Sequence, residues 1–210
     1  MTWSDVSLRG FQDALASSAP TPGGGSAAGV ALGQAAALAV MVSDLTLGNE
    51  KFREGWEISE QVKSIAVPML DEGLKLATED SEAFDKVVDS FKLPKDTEQL
   101  KTERKEAIRT ATLGAAEVPY RTAVSALHLL KLLPELAENG NPNAASDVGV
   151  AGLLASAALK GGIFNVEINL QALPDHYGAE MRKNLPSLVS DGRIYSRKAM
   201  DAVRDRLSNQ

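Results

Sequence analysis

The chain has 210 residues, 44% of them hydrophobic, with 22 basic and 28 acidic side chains and a net charge of -6. That length and apolar share support one sizeable core and exclude wholesale disorder. The acidic balance, with basic residues scattered rather than clustered, argues against a nucleic-acid partner. The absence of cysteine excludes disulfides, thiolate metal sites and a cysteine nucleophile.

The start of the chain lacks a basic n-region and an apolar h-region, so no signal peptide is expected and a cytoplasmic location is. Leu8, Phe11 and Leu15 share one face and predict a short amphipathic helix. Pro20 to Ala28 then reads P-T-P-G-G-G-S-A-A. Its glycines allow close approach to the backbone, and Ser26 is a natural N-cap for a helix over Ala27 to Leu47. The turn is either a polar-ligand or anion site or simply the start of a tightly packed helix.

The helix over 27–47 is long enough to span a bilayer. It is rich in Ala and Gly and carries Asp44, so it is read as a buried central helix, with no membrane partner. Gly25, Gly29, Gly33 and Ala37 recur every four residues and form one stripe of minimal side chains. This stripe is expected under a closely packed helix at or beside a two-fold homodimer interface.

Gly48-Asn49 ends that helix. A third helix is predicted from Lys51 to Ala77, kinked or broken by Pro68, and a fourth over Thr78 to Phe91 with Glu79 and Asp80 at its start. Leu93 to Thr97 is a linker. A long helix runs from Glu98 to about Leu133 through Pro119, and Pro134 with the polar loop Asn139-Gly140-Asn141-Pro142-Asn143 ends it. Ser146 opens the next helix, which reaches Leu173, and a charged helix closes the chain. Only Val166 to Leu170 alternates in a way that suits a strand. The whole of 1–210 is therefore expected to be one all-α, up-and-down, dimer-forming helical domain.

No P-loop, dinucleotide fingerprint or zinc spacing is present. His128 and His176 stand alone in the sequence, and His128 reads as structural. Carboxylates, amides, hydroxyls, lysines and backbone dipoles remain for any chemistry. Asp147 opens a Gly/Ala-rich helix, as a dipole-paired charge or as a carboxylate at a pocket mouth. Asn165 and Asn169 share a helix face and must bond each other, a neighbouring backbone or a ligand. Pro119 cannot donate to the Ala115 carbonyl, which leaves a free acceptor near Glu117. Asp80 is a helix cap or a catalyst, and Lys95 is solvated or meets an anionic tail.

Several blocks in order resemble the cyclodeaminase/cyclohydrolase family of folate one-carbon enzymes. They are Pro20 to Ala28, Met41-Val42 with Leu45-Thr46, Asp80-Ser81-Glu82-Ala83-Phe84 and Leu93-Pro94-Lys95. Arg104 with Ala107-Ile108, Ala115 to Pro119, Gly140 to Ala151 and Asn165 to Leu170 complete the match. After Thr46 the family often has a lysine-rich turn where this chain has Gly48-Asn49-Glu50-Lys51, and Asp44 does not fit the family's pattern as a catalyst.

The resemblance implies a helical dimer that binds a tetrahydrofolate derivative near its interface, with no cofactor beyond that substrate and no metal. It implies Asp147 as the main acid–base carboxylate with Asp80 assisting. Thr21, Gly23, Gly24, Gly25, Ser26, Lys95, Glu117, Asn143, Asn165 and Asn169 are the implied substrate-binding set. Methenyltetrahydrofolate cyclohydrolase is the first expectation, because the chain has no room for a fused formiminotransferase domain. Formiminotetrahydrofolate cyclodeaminase is the alternative, and a non-catalytic folate- or protein-binding helical dimer is the third.

Overall fold

A computed structural model describes residues 2–209. Its described residues are helical with no strand. The long helices are α1 (Leu8–Leu15), α2 (Gly24–Leu47), α3 (Trp56–Phe91), α4 (Glu98–Asn139), α5 (Ala145–Gln171) and α6 (Ala179–Ser208). Short 3-10 turns cover Trp3–Asp5, Glu50–Gly55 and Pro142–Ala144.

Each long helix from α3 to α6 runs against its predecessor, as residue pairs along the chain show. Gly25 meets Asp80 and Gly55 meets Thr46, so α3 returns along α2. Glu79 pairs with Arg121 and Glu72 with Ser125, so α4 returns along α3. Gly162 lies on Pro119, so α5 returns along α4. Thr46 bonds the Asn141 N–H at 2.9 Å, while Gly24 lies beside Asn165, so α5 also runs antiparallel to α2. Helices α2 to α5 thus close an up-and-down ring, and α6 packs across α4 and α5. Leu32, Val62, Leu76, Leu129, Leu133 and Leu159 are fully buried in its centre.

Three sequence expectations are corrected. Helix α2 starts at Gly24 with Gly23 at its N-cap, so Ser26 is not a cap but sits buried in the first turn. Pro68 breaks nothing: α3 is one helix of 36 residues, with the proline ring exposed, and Thr78 to Phe91 is its second half. Pro134 is likewise absorbed, and α4 continues to Asn139. Packing of a long apolar face outweighs one lost hydrogen bond per proline. Val166 to Leu170 is helix, as the span from Ser146 to Leu173 predicts, despite its brief alternation.

The glycine stripe is covered from within the chain rather than by a second copy. A Cβ on Gly29 would stand 2.7 Å from the Ala77 nitrogen and 2.8 Å from the Gly73 carbonyl oxygen. A Cβ on Gly73 would stand 2.6 Å from the Gly33 nitrogen. Helices α2 and α3 therefore touch backbone to backbone, and Ala37, last in the stripe, is exposed.

Candidate active site

The Gly-rich turn leads into α2 at a corner where α3 and α5 both pass. On the α3 side lies Asp80. An added Cβ on Gly25 would fall 2.1 Å from Asp80 Oδ1, so only glycine lets the carboxylate rest on the first turn of α2. The Ser26 hydroxyl donates to Asp80 Oδ2 at 2.9 Å. On the α5 side, Asn165 Nδ2 lies within 3.7 Å of where a Gly24 Cβ would be. The free N–H groups of the α2 N-terminus open between these two flanks.

Burial pushes the Asp80 carboxyl above its ordinary range, while the hydroxyl and backbone N–H of Ser26 pull it back. Among the described residues no ion pair reaches it. Its position is a consequence of helix continuity. Because α3 does not stop at Ala77, Asp80 is held in mid-helix and aimed at α2, not spent on a cap.

The two asparagines are partly committed to backbone. Asn169 Nδ2 donates to the Ala115 carbonyl at 3.0 Å and to the Asn165 carbonyl at 2.9 Å. Asn165 Nδ2 donates to the Gly161 carbonyl at 2.8 Å. Each keeps its amide oxygen as an acceptor. Glu117 is exposed on α4 and lines a groove of about 920 Å³ between α3 and α4. Glu79, Glu82, Ala83, Lys86 and Leu93 also line it. Thr21 donates to Asp85 at 3.5 Å, and Lys95 is exposed in the α3–α4 connection.

The structure does not bring Asp147 or Asn143 to this corner within one chain. Asp147 lies in the first turn of α5, and at 1.5 Å per residue it is roughly 27 Å of helix from Asn165. Asn143 is exposed in the neighbouring 3-10 turn. Asp44, on α2, is tied up with Lys63. His128 is exposed on α4, so the structural role read from its apolar neighbours is corrected: the side chain turns away from them.

Reasoning from sequence missed two residues here, Trp3 and Ser81. Trp3 Nε1 donates to Ser81 Oγ at 2.9 Å, and Ser81 Oγ lies 3.0 Å from Ser26 Oγ. A lone tryptophan before α1 carries no periodic signal that would pair it with α3.

Comparison with known proteins places this geometry in context. The model of the formiminotransferase-cyclodeaminase family matches residues 7–186. The chain is 36% identical over 204 residues to methenyltetrahydrofolate cyclohydrolase of Methylorubrum extorquens, covering 94% of this chain and 96% of that protein. It is 34% identical over 168 residues to formimidoyltransferase-cyclodeaminase of Gallus gallus, covering 80% of this chain but 31% of that protein. The chain thus spans about a third of that two-activity relative. The structure of formiminotetrahydrofolate cyclodeaminase from Thermotoga maritima superposes with a TM-score of 0.80, at 29% identity and 98% coverage of both chains. The chain belongs to the formiminotransferase-cyclodeaminase family.

Proposed function

We propose that the protein is a cytoplasmic methenyltetrahydrofolate cyclohydrolase in which Asp80 moves the proton. The observation that carries the chemistry is the half-buried Asp80 carboxylate seated on Gly25, with Ser26 as its donor. The full-length likeness to the Methylorubrum extorquens cyclohydrolase supports the choice of reaction. In that reaction water adds to the bridge carbon between N5 and N10, and Asp80 takes its proton. The C–N5 bond then breaks with return of that proton to N5, while the remaining hydroxyl proton leaves to solvent as the C=O forms, giving 10-formyltetrahydrofolate and one released proton. A carboxylate with a raised pKa suits both steps, since it accepts the proton and gives it back. Its negative charge also favours the cationic amidinium bridge.

The amide oxygens of Asn165 and Asn169 are acceptors for the N–H edge of a pterin. The α2 N-terminus from Thr21 to Ser26 offers donors to its polar atoms. Glu117 faces the adjoining groove. Lys95 stands past the end of α3, about eleven helical residues and roughly 16 Å beyond Asp80, where it suits an anionic tail rather than the bridge.

The active unit is a homodimer. Leu153, Phe164 and Ile168 on α5 are 60%, 67% and 66% exposed, and Ala37, Met41 and Leu45 are exposed on α2. Helix α2 and the segment Pro142–Gln171 are each long and apolar enough to cross a membrane, with 39% and 56% of their most apolar stretches buried. A second copy laid on this face accounts for that outward apolar surface. A two-fold axis perpendicular to α5 sets Asp147 and Asn143 of the partner subunit beside the Asn165 end. In that arrangement Asp147 of the partner subunit assists Asp80 as a second carboxylate, at a site shared by two chains.

The Thermotoga maritima neighbour supports formiminotetrahydrofolate cyclodeaminase as the second reading. Loss of methenyl absorbance against release of ammonia from the formimino substrate separates the two. Turnover of neither substrate by a folded dimer rejects both in favour of a binding protein.

A further inference from the structure

We infer that Trp3 is a positioning residue for Asp80, acting through a one-way chain of hydrogen bonds from Trp3 to Ser81 to Ser26 to Asp80. The inference rests on the reading of Asp80 as the acid–base carboxylate.

The segment that carries Trp3 is strapped to α3. The Trp3 backbone N–H donates to Thr78 Oγ1 at 3.0 Å, and its ring meets Phe11 edge-on at 5.5 Å between centroids. The indole N–H then donates to Ser81 Oγ at 2.9 Å. An indole nitrogen only donates. Ser81 therefore accepts from Trp3 and has its own proton free for Ser26 Oγ, 3.0 Å away. Ser26, accepting from Ser81, sends its proton to Asp80 Oδ2 at 2.9 Å. The ionised carboxylate at the end only accepts. One fixed donor and one fixed acceptor thus set the direction of both hydroxyls between them.

Burial shields the two hydroxyls of the relay from water. Ser26 is 0% and Ser81 7% exposed. Aligned hydroxyls polarise one another and strengthen the last bond, the one to the carboxylate. Without the indole, Ser81 is free to take the Ser26 proton itself, and for part of the time Asp80 loses its hydroxyl donor and keeps only the Ser26 backbone N–H. The charged groups around this corner are otherwise engaged. Glu79 pairs with Lys75 and Arg121, and Asp85 accepts from Thr21. Neither Asn165 on α5 nor the start of α2 brings a charge. The ionised state of Asp80 therefore depends on Ser26 and on what orients it.

The test is the pH dependence of kcat/KM for the methenyl substrate in the full chain. Asp80→Asn removes the acid limb. Trp3→Phe keeps an aromatic ring on Phe11 and moves that limb to higher pH, by a few tenths of a unit to about one unit. Ser26→Ala moves it further the same way, and Trp3→Phe added to Ser26→Ala moves it no more, because the effect travels through Ser26. Ser81→Ala, with Trp3 intact, ends the polarisation of Ser26 but leaves it no rival acceptor, so it shifts the limb upward by less than Trp3→Phe and serves as the test should that variant not fold. An unshifted limb in Trp3→Phe beside a shifted one in Ser26→Ala overturns the relay and leaves Asp80 in its role. An additive shift in the double variant overturns it as well. Persistence of the limb in Asp80→Asn removes the underlying reading and the relay together.

Discussion

Asn169 on α5 donates to the carbonyl of Ala115 on α4 at 3.0 Å, the one carbonyl that Pro119 leaves without its helical donor. A defect in one helix is repaired by a side chain of the next. The repair fixes the height of α5 on α4, and with it the place of Asn165 beside the Gly-rich turn. Asn169→Leu leaves that acceptor unpaired and costs about 1–3 kcal/mol of stability. Pro119→Ala restores the donor, so Asn169→Leu costs less in the Pro119→Ala background than in the wild type. Denaturant unfolding of the four proteins measures this coupling. Additive losses show that the bond to Ala115 does not matter.

Asp80→Asn separates activity from stability. Turnover of the methenyl substrate falls by about 10²-fold or more. Stability moves the other way. The folded-state pKa of Asp80 is raised above the ordinary carboxylate value, so its stabilising contribution is complete below that value and is lost as pH rises through the folded pKa. At pH 7 the wild type holds a charge that burial disfavours, whereas the asparagine does not. Thermal unfolding of Asp80→Asn at pH 7 should therefore show an equal or higher Tm, with the advantage shrinking as pH falls toward 4. A clearly lower Tm at pH 7 contradicts this.

Gly25→Ala tests the seat of the carboxylate. Its Cβ falls 2.1 Å from Asp80 Oδ1, well inside van der Waals contact distance, so the carboxylate or the turn must move. Kinetics should show a loss of kcat by about 10-fold or more, since small misplacements of a reacting group are expensive. Retention of full activity shows that the contact does not position Asp80.

Two inactive variants test the shared site. Phe164→Glu on the exposed face of α5 should give a monomer by light scattering, with turnover lost. Asp80→Asn mixed with Asp147→Asn under subunit exchange should regain about a quarter of wild-type turnover, because half the dimers then carry one intact site. No recovery after proven exchange confines Asp147 to a charge at its own helix terminus.

The helical fold and the order of the helices were legible in the sequence, because apolar spacing and Gly/Pro punctuation are local. The orphan carbonyl at Ala115 was legible too, since proline chemistry is local. The partner of that carbonyl was not, because Asn169 is 54 residues away and only α4–α5 packing joins them. The same limit misplaced Asp80. Thr78-Glu79-Asp80 has the composition of a helix start, and local propensity gave no sign that α3 runs through it. Pro68 misled in the same direction, since its exposed ring costs little in a helix held by tertiary contact. The glycine stripe was read correctly as a close-packing surface. Which helix covers it is a long-range fact that Gly73, outside the repeat, alone could have hinted at.

The contact of Gly29 and Gly33 with Gly73 lies one to two helical turns from Gly25 and Asp80. Side chains elsewhere in the core can change rotamer or exchange one methyl group for another, and the helices they separate will drift by fractions of an ångström. Main chain resting on main chain has no such play. This crossing works as a hard stop, holding the gap between turn and carboxylate at one value while the rest of the core accepts substitution. Gly73→Ala, though remote from any substrate, should therefore act as a shim that widens the gap. Its effect would be read in kcat and in the pH profile before it is read in the fold.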